Sequence, residues 1–427
     1  MSQGAAKRRK TSTKDPAHDA DPLLSSFTNV YVGYAPLSKG TAVDRVSYPE
    51  CTAEAFDEKY VASRRPVVLE RALEDGSDLR GAVQWTDAFL REKCANDVGA
   101  PASLRVETRT CVTNGERFGR GKYVDMSFDA FMDKFEAGDG RWYLSAGGKP
   151  DAFSAPASRL VSAKSETAAD DGLLPLRPRV LPRRLVPADV NLWMGRNDGP
   201  TSSGLHHDYH DNLYLLVRGE KRFKLYSPRD AGRMYTTGAI SWVHENGLIN
   251  YSVSTLQDGD ISLANGESAL EHRLRKGAVV NDDESEEEGD GLDDDDDDFA
   301  DFDGVDDYDA LNESDDDEEE NDDEKVSKGE KDPDSFSRVD YDNLSEYPLF
   351  KGAISMDVVV KAGQALYLPA GWFHDVSSDD SGQGHVAFNY WFHPPPLGES
   401  TIRSARHALR EEDFKRSILD SKFAVDE

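Results

Sequence analysis

From residue 141 onward the chain consists largely of short strand-like runs that Gly and Pro interrupt, and this pattern leaves few folds possible. The runs are VNLWMGRND, NLYLLV, KRFKLYS, MDVVVKAGQALYLPAGWFHDV and GHVAFNYWF. Short strands at such spacing predict an antiparallel barrel or sandwich. We expect Arg218, Gly219 and Glu220 to form a hairpin turn between two of these strands, with Gly219 supplying the flexible backbone.

Residues 26–140 show a different pattern. RRPVVLERAL has the composition of a buried strand, and two helix-like segments follow, QWTDAFLREKC and SFDAFMDKFEAG. Ser127 is a candidate N-cap of the second helix and Gly138 a candidate stop signal. These residues therefore predict an α/β lead-in to the barrel.

The C-terminal segment, residues 396–427, has apolar residues at roughly helical spacing, among them Ile402, Ala405 and Leu409. The spacing predicts an amphipathic helix. Such a helix could close the barrel or pair two copies of the chain as a homodimer, and the sequence leaves both alternatives open.

The formal net charge of −32 is concentrated in one run. Between Asp282 and Glu324 the chain has 28 acidic and no basic residues, which leaves about −4 for the rest. A segment this charged buries too little apolar surface to offset its ordering entropy, so we expect residues 280–335 to be a disordered insertion in the barrel. It is either a solvated spacer, a segment that binds a basic protein, or a mask over the active site. Nucleic acid is disfavoured as a partner because the run would repel it.

The remaining composition predicts an intracellular protein, nuclear or cytoplasmic. Residues 1–25 are polar and predict a disordered arm, whose AKRRKTSTK is either a nuclear localisation signal or a chance basic cluster. Cys51, Cys94 and Cys111 fall in no CxxC or zinc-knuckle spacing, which favours a reducing compartment. No run approaches the roughly 18 apolar residues of a membrane helix, so we expect no membrane span.

Three histidines within five residues, His206, His207 and His210, surround Asp208. On a strand, His206 and Asp208 would share one face, His207 would face the other way, and His210 would lie about 13 Å from His206. The best third ligand is His374, which a Pro-Ala-Gly turn presents. Two imidazoles and one carboxylate form the facial triad of non-haem Fe(II) oxygenases, although a buried histidine satisfied by a core hydrogen bond is the simpler alternative.

Lys221 follows His206 by fifteen residues, at the start of the strand after Gly219. Its cation could pair with the distal carboxylate of 2-oxoglutarate. The alternative is an ordinary exposed lysine at a hairpin.

These residues resemble the JmjC (cupin-like) Fe(II)- and 2-oxoglutarate-dependent oxygenases, in particular the small JmjC-only protein (lysyl) hydroxylases. The resemblance runs from about Pro66 to Phe392 and is strongest in SSGLHHDYHDNLYLLVRGEKRFKLYSP, AGQALYLPAGWFHDV and VAFNYWF. It implies an α+β fold in which residues 141–395 form a double-stranded β-helix, or jelly roll, that the acidic run interrupts. The 168 positions from His206 to His374 exceed what the small hydroxylases usually have, and the acidic run accounts for most of the excess.

The resemblance also implies roles for individual residues. The iron ligands would be His206, Asp208 and His374. The 2-oxoglutarate pocket would contain Lys221 as its anchor, Asn212, Asn389, Ser203 in place of the Thr that relatives often have, and Tyr143 in RWYLSAG.

The implied reaction uses Fe(II), 2-oxoglutarate and O2, with ascorbate in support, to hydroxylate a side chain of a protein substrate. The HxD spacing favours hydroxylation, since the family's histone demethylases commonly carry HxE. Demethylation of a histone or other protein, hydroxylation of tRNA, a binding module without catalysis, and a cupin of unrelated chemistry remain alternatives. Demethylation and hydroxylation differ in product mass.

Overall fold

The computed structural model describes most of the chain outside its two ends and its acidic run. The described residues are 27–94, 104–108, 122–147, 156–162, 169–196, 201–257, 259, 262, 332–379, 382–397, 408, 410–412 and 414–416. Among them, no helix is both long enough and apolar enough to cross a lipid bilayer. The predicted arm and most of the predicted insertion lie outside these residues.

The lead-in contains the predicted strand and both predicted helices. In chain order its elements are β1 (Thr28–Asn29), β2 (Asp44–Ser47), α1 (Ala53–Phe56), β3 (Val67–Glu70), α2 (Asp87–Cys94), β4 (Leu104–Thr108), β5 (Lys122–Met126) and α3 (Phe128–Glu136). Ser127 caps α3, because its hydroxyl accepts a hydrogen bond from the backbone N–H of Ala130 at 3.2 Å. Gly138 follows the helix with a φ of 78°.

From residue 141 onward the regular elements of the described chain are mostly strands, as predicted. In order they are β6 (Trp142–Gly147), the short helix α4 (Pro156–Arg159), β7 (Val161–Ser162), β8 (Leu174–Pro175), β9 (Val186–Gly195), β10 (Thr201–Ser202), β11 (His206–His207), β12 (Asp211–Arg218), β13 (Glu220–Tyr226), β14 (Trp242–Val243), β15 (Ile249–Asn250), β16 (Ser355–Lys361), β17 (Gln364–Leu368), β18 (Phe373–Asp379) and β19 (His385–His393). Helices are the minority, which confirms an α+β fold dominated by sheets.

Two facing sheets form the jelly roll. The larger has nine strands in the order β2-β3-β17-β12-β19-β9-β6-β4-β5, so strands of the lead-in extend the barrel's own sheet. The smaller has the order β10-β18-β13-β16, with β11 beside β18. Leu216 and Leu366 of the larger sheet pack with Phe223 of the smaller in one buried cluster, which we call the barrel interior.

Alternation along the strands gives the larger sheet two buried faces. On β12, Tyr214 and Leu216 point into the barrel interior, whereas Leu213 and Leu215 point to a second core shared with α2, α3 and α4. Burial of a leucine side chain stabilises the fold by about 1.5–3 kcal/mol. The helices therefore pack against the outer face of the larger sheet and fix its position. Several site residues project from this sheet.

The predicted hairpin at Arg218-Gly219-Glu220 was wrong. The chain does turn at Gly219, with a φ of 92°, but β12 pairs with β17 and β19 while β13 pairs with β16 and β18. Both edges of β12 are already occupied, so β13 has no free edge of β12 to pair with. The turn instead carries the chain from the larger sheet to the smaller.

Of the described residues of the C-terminal segment, 408, 410–412 and 414–416 are helical, and Phe414 is buried in the core beside the helices. At least this side chain packs against its own chain. The last positions of the predicted insertion, residues 332–335, are described and lie on the barrel, where Ser335 is buried.

Candidate metal centre

His206, Asp208 and His374 converge at one end of the barrel. β11 pairs antiparallel with β18 so that His206 lies directly opposite His374, and Asp208 follows β11 by one residue. The Nε2 atoms of His206 and His374 lie 3.9 and 3.7 Å from the two carboxylate oxygens of Asp208. The possible ligand atoms all lie within 4.8 Å of one another.

Backbone carbonyls fix both imidazole rings. Nδ1 of His206 lies 2.9 Å from the carbonyl oxygen of Gly204, and Nδ1 of His374 lies 2.9 Å from that of Trp372. Each Nδ1 therefore carries the hydrogen and donates it, which leaves the lone pair of Nε2 directed at the centre. This is how proteins commonly orient histidines that bind a metal.

The charge state of the centre also suits a divalent cation. Burial, and then the nearby His374, lower the pKa of His206 to about 4, so its imidazole is neutral at pH 7. Burial opposes ionisation of Asp208, but His374 and His206 outweigh it and the pKa of the carboxyl is lowered. The neutral imidazole of His206, the carboxylate of Asp208 and the second imidazole, of His374, form a donor set that fits Fe(II) and leaves coordination positions for other ligands.

One side of the centre is open. The side chains of His206 and Asp208 retain 16% and 21% of their exposure, against 6% for His374. The ring of Phe336 stacks on His206, with centroids 4.8 Å apart and planes 10° apart. Phe336 thus covers one face of the His206 imidazole.

The other two histidines lie away from the centre. His207 is buried on the opposite side of β11, where its Nε2 and the hydroxyl of Tyr251 lie 2.8 Å apart. His210 stacks on Trp391 at 5.4 Å. The alternation expected for a strand holds for His207, although β11 is only two residues long.

Lys221 lies inside the barrel, with only 2% of its surface exposed. The exposed hairpin lysine considered above is therefore excluded. Its Nζ donates a hydrogen bond to Ser378 Oγ and lies 5.9 Å from the ring centroid of Tyr143. A buried ammonium is costly unless anions or hydrogen-bond acceptors surround it, so this position suits a carboxylate ligand.

The strand register relates Lys221 to the metal centre. On β18, Ser378 and His374 point to the same side and are separated by four residues, about 13 Å at strand rise. Lys221 lies directly opposite Ser378 and its ammonium binds the Ser378 hydroxyl, so the lysine is displaced along the smaller sheet from the triad but lies on the same side. A ligand with two carboxylates could contact both.

The other predicted pocket residues have defined partners in the barrel. Asn212 Nδ2 donates to Asp208 at 3.5 Å, while its buried Oδ1 has no hydrogen-bond partner among the described residues. Asn389 Oδ1 accepts from the indole N–H of Trp193 at 3.0 Å. Ser203 Oγ donates to the carbonyl of Gly204 and accepts from the N–H of Val376, both at 3.0 Å, and so ties the His206 loop to β18.

Sequence reasoning missed three residues of this region. Ser378 could have been found, because it follows His374 by four residues and so shares its side of β18. Thr201, opposite Ser378, has a buried hydroxyl that no described residue satisfies. Phe336 follows the acidic run, and nothing in its local sequence points to the metal centre.

Comparison with known proteins identifies the family. Residues 52–398 match the cupin-like domain, and the chain therefore belongs to that family. It is similar to JmjC domain-containing protein 4 of Schizosaccharomyces pombe, with 30% identity over 87% of this chain and 88% of that protein.

Two further relatives differ in the activity that their names state. The lysine-specific demethylase JMJ32 of Arabidopsis thaliana is 28% identical over 87% of both chains. The human bifunctional peptidase and (3S)-lysyl hydroxylase JMJD7 is 27% identical over 48% of this chain and 42% of that protein. The expected JmjC resemblance is thus confirmed.

Proposed function

We propose that the chain is an Fe(II)- and 2-oxoglutarate-dependent oxygenase that hydroxylates a side chain of a protein substrate. The observation that carries the proposal is the convergence of His206, Asp208 and His374, with both Nε2 atoms directed at one point. The buried Lys221 in the same barrel supports a dicarboxylate cosubstrate.

His206, Asp208 and His374 would hold the iron, and Lys221 would pair with the distal carboxylate of 2-oxoglutarate. When bound, the iron and its cosubstrate supply the oxidation by O2, with release of succinate and CO2. The protein residues would orient the metal ligands and enclose the cosubstrate. The carbonyls of Gly204 and Trp372 fix the imidazoles, and the barrel interior would exclude water. Ascorbate would act as a supporting reductant.

We further propose that the substrate is a basic protein and the modified residue a lysine. The 28 acidic residues between Asp282 and Glu324 would attract such a partner. In the segment that follows them, residues 332–340, Phe336 stacks on His206. A likeness to a protein named lysyl hydroxylase agrees with lysine as the target.

Lysine demethylation is the second candidate. It is favoured by the similarity to the demethylase JMJ32 over 87% of the chain. Both reactions would use the same metal centre, so the centre does not discriminate between them.

The test is to incubate the protein with Fe(II), 2-oxoglutarate and ascorbate together with basic proteins, and to weigh the products by mass spectrometry. Hydroxylation adds one oxygen to the substrate, whereas demethylation removes a methyl group from a methylated lysine. The Asp208→Ala variant is the control. Succinate formation without either mass change, on unmodified and methylated substrates alike, would contradict protein side chains as the target.

A further inference from the structure

An ion pair that has no part in the proposed chemistry lies fully buried near the metal centre. Arg64 and Asp211 have no exposed side-chain surface. Nη1 of Arg64 donates to Oδ2 of Asp211 at 2.8 Å, and Nη2 donates to Oδ1 at 2.5 Å. The third donor of the guanidinium, Nε, binds the carbonyl of Asn246 at 2.8 Å.

The carboxylate of Asp211 accepts two further hydrogen bonds. The hydroxyl of Tyr367 donates to Oδ2 at 2.7 Å, and the backbone N–H of Ala370 donates to Oδ1 at 2.9 Å. Replacing a buried ion pair by apolar residues of similar volume is often neutral or stabilising. A contribution to stability is therefore a weak explanation for the presence of this ion pair. Its hydrogen bonds suggest a role in positioning instead.

The same network reaches the candidate metal ligands through one corner of the chain. Between β17 and β18, Ala370 binds Asp211, Gly371 N–H donates to the carbonyl of Asp208 at 2.9 Å, and the indole of Trp372 donates to the carbonyl of Arg64 at 3.1 Å. The carbonyl of Trp372 in turn holds Nδ1 of His374.

We propose that Arg64 and Asp211 are positioning residues for the metal centre. By fixing the corner at residues 370–372 to the start of β12, they hold Asp208 and His374 in register with each other. The inference rests on the proposed metal site, and it adds two residues that neither touch the ligand atoms nor belong to the cosubstrate pocket.

The test replaces the pair by apolar residues and measures Mn(II) affinity, with Mn(II) as the probe for the metal site. In Arg64→Met/Asp211→Leu we expect the Kd for Mn(II) to rise about 10- to 100-fold, the effect usual for groups that orient metal ligands. The urea midpoint of the metal-free protein should fall by no more than the lost hydrogen bonds of Tyr367, Ala370 and Asn246 explain.

The matched control is Arg218→Met/Asp87→Leu. This pair, joined at 2.6 Å, lies at the other end of β12, so its loss should leave Mn(II) affinity unchanged. A folded Arg64→Met/Asp211→Leu variant that binds Mn(II) as the wild type does would overturn the inference, as would a lowered urea midpoint with unchanged affinity.

If the double variant does not fold, Arg64→Gln/Asp211→Asn replaces it, since the two amides keep hydrogen-bonding groups at both positions and leave neither charge unpaired. Weakened Mn(II) binding by folded Arg64→Gln/Asp211→Asn supports positioning, and wild-type binding overturns it. Failure of the wild type itself to bind Mn(II) would count against the proposed metal site, a result distinct from either of these.

Discussion

At the scale of single residues, the site depends on a few buried polar groups whose surroundings define their roles. The carbonyls of Gly204 and Trp372 select the tautomer of His206 and His374, so that both free lone pairs face Asp208. Lys221 is equally constrained, because β13 directs it into the barrel beside Ser378. These are local arrangements that single substitutions can test.

Lys221→Met should keep the volume of the side chain and remove its charge. Because a hydrogen bond to a charged group contributes about 1.5–3 kcal/mol, we expect 2-oxoglutarate affinity to fall roughly 10- to 100-fold, with Mn(II) affinity unchanged. Isothermal titration calorimetry measures both. Lys224→Met is the control, since Lys224 is on the same strand with its side chain 45% exposed; an equal loss in both variants would argue against a specific anchor.

At the scale of secondary structure elements, the corner between β17 and β18 brings the two halves of the centre together. Gly371 has a φ of 74°, and a Cβ at this position would lie 1.8 Å from the carbonyl oxygen of Gly247. The close approach of these two backbones lets the N–H of Gly371 reach Asp208. A glycine is therefore required here for both conformation and space.

Gly371→Ala should lower the free energy of unfolding by about 2–5 kcal/mol, from backbone strain together with overpacking. Gly363→Ala is a matched control in the turn between β16 and β17, with a φ of 84° and nothing within 4 Å of the added Cβ. Gly363→Ala should lower the free energy of unfolding only by the backbone strain, about 1–2 kcal/mol. Urea denaturation compares the two, and equal costs would contradict the tight packing at the corner.

Some features of the secondary structure elements could be predicted from the sequence, and others could not. Strand alternation and the capping signals of α3 were enough to place β12, β19 and Ser127 correctly. The sequence around Gly219 predicted a turn but not its partner strands, because pairing depends on which edges distant strands have already filled. Phe336 reaches His206 only through tertiary contacts, so no local pattern marks it.

At the scale of the whole molecule, the acidic run is followed along the chain by a segment that contacts the barrel and His206. The acidic run ends shortly before residues 332–340, whose backbone binds the barrel. Ser337 N–H donates to the carbonyl of Leu205 at 2.8 Å, and Thr237 N–H donates to that of Phe336 at 2.7 Å. The acidic run that is proposed to attract a basic substrate is thus followed closely along the chain by the segment that contacts His206.

Replacing the 28 acidic residues by Asn and Gln keeps the length of the chain and removes the charge. We expect KM for a basic protein substrate to rise and to lose its dependence on ionic strength, because salt screens attraction between exposed charges. Mn(II) affinity should not change. Steady-state kinetics at two salt concentrations measures the effect, and an unchanged KM would indicate that the run is a spacer.

The most direct test of the metal centre and its cosubstrate is an anaerobic thermal-shift titration with Mn(II), with and without 2-oxoglutarate. It compares the wild type with His374→Ala, Lys221→Ala and the control Lys224→Ala. We predict that the two ligands together stabilise the wild type more than the sum of their separate effects. His374→Ala should abolish this stabilisation, Lys221→Ala should weaken it, and Lys224→Ala should retain it. A wild type that neither ligand stabilises would contradict the oxygenase assignment and favour a barrel that binds proteins without catalysis.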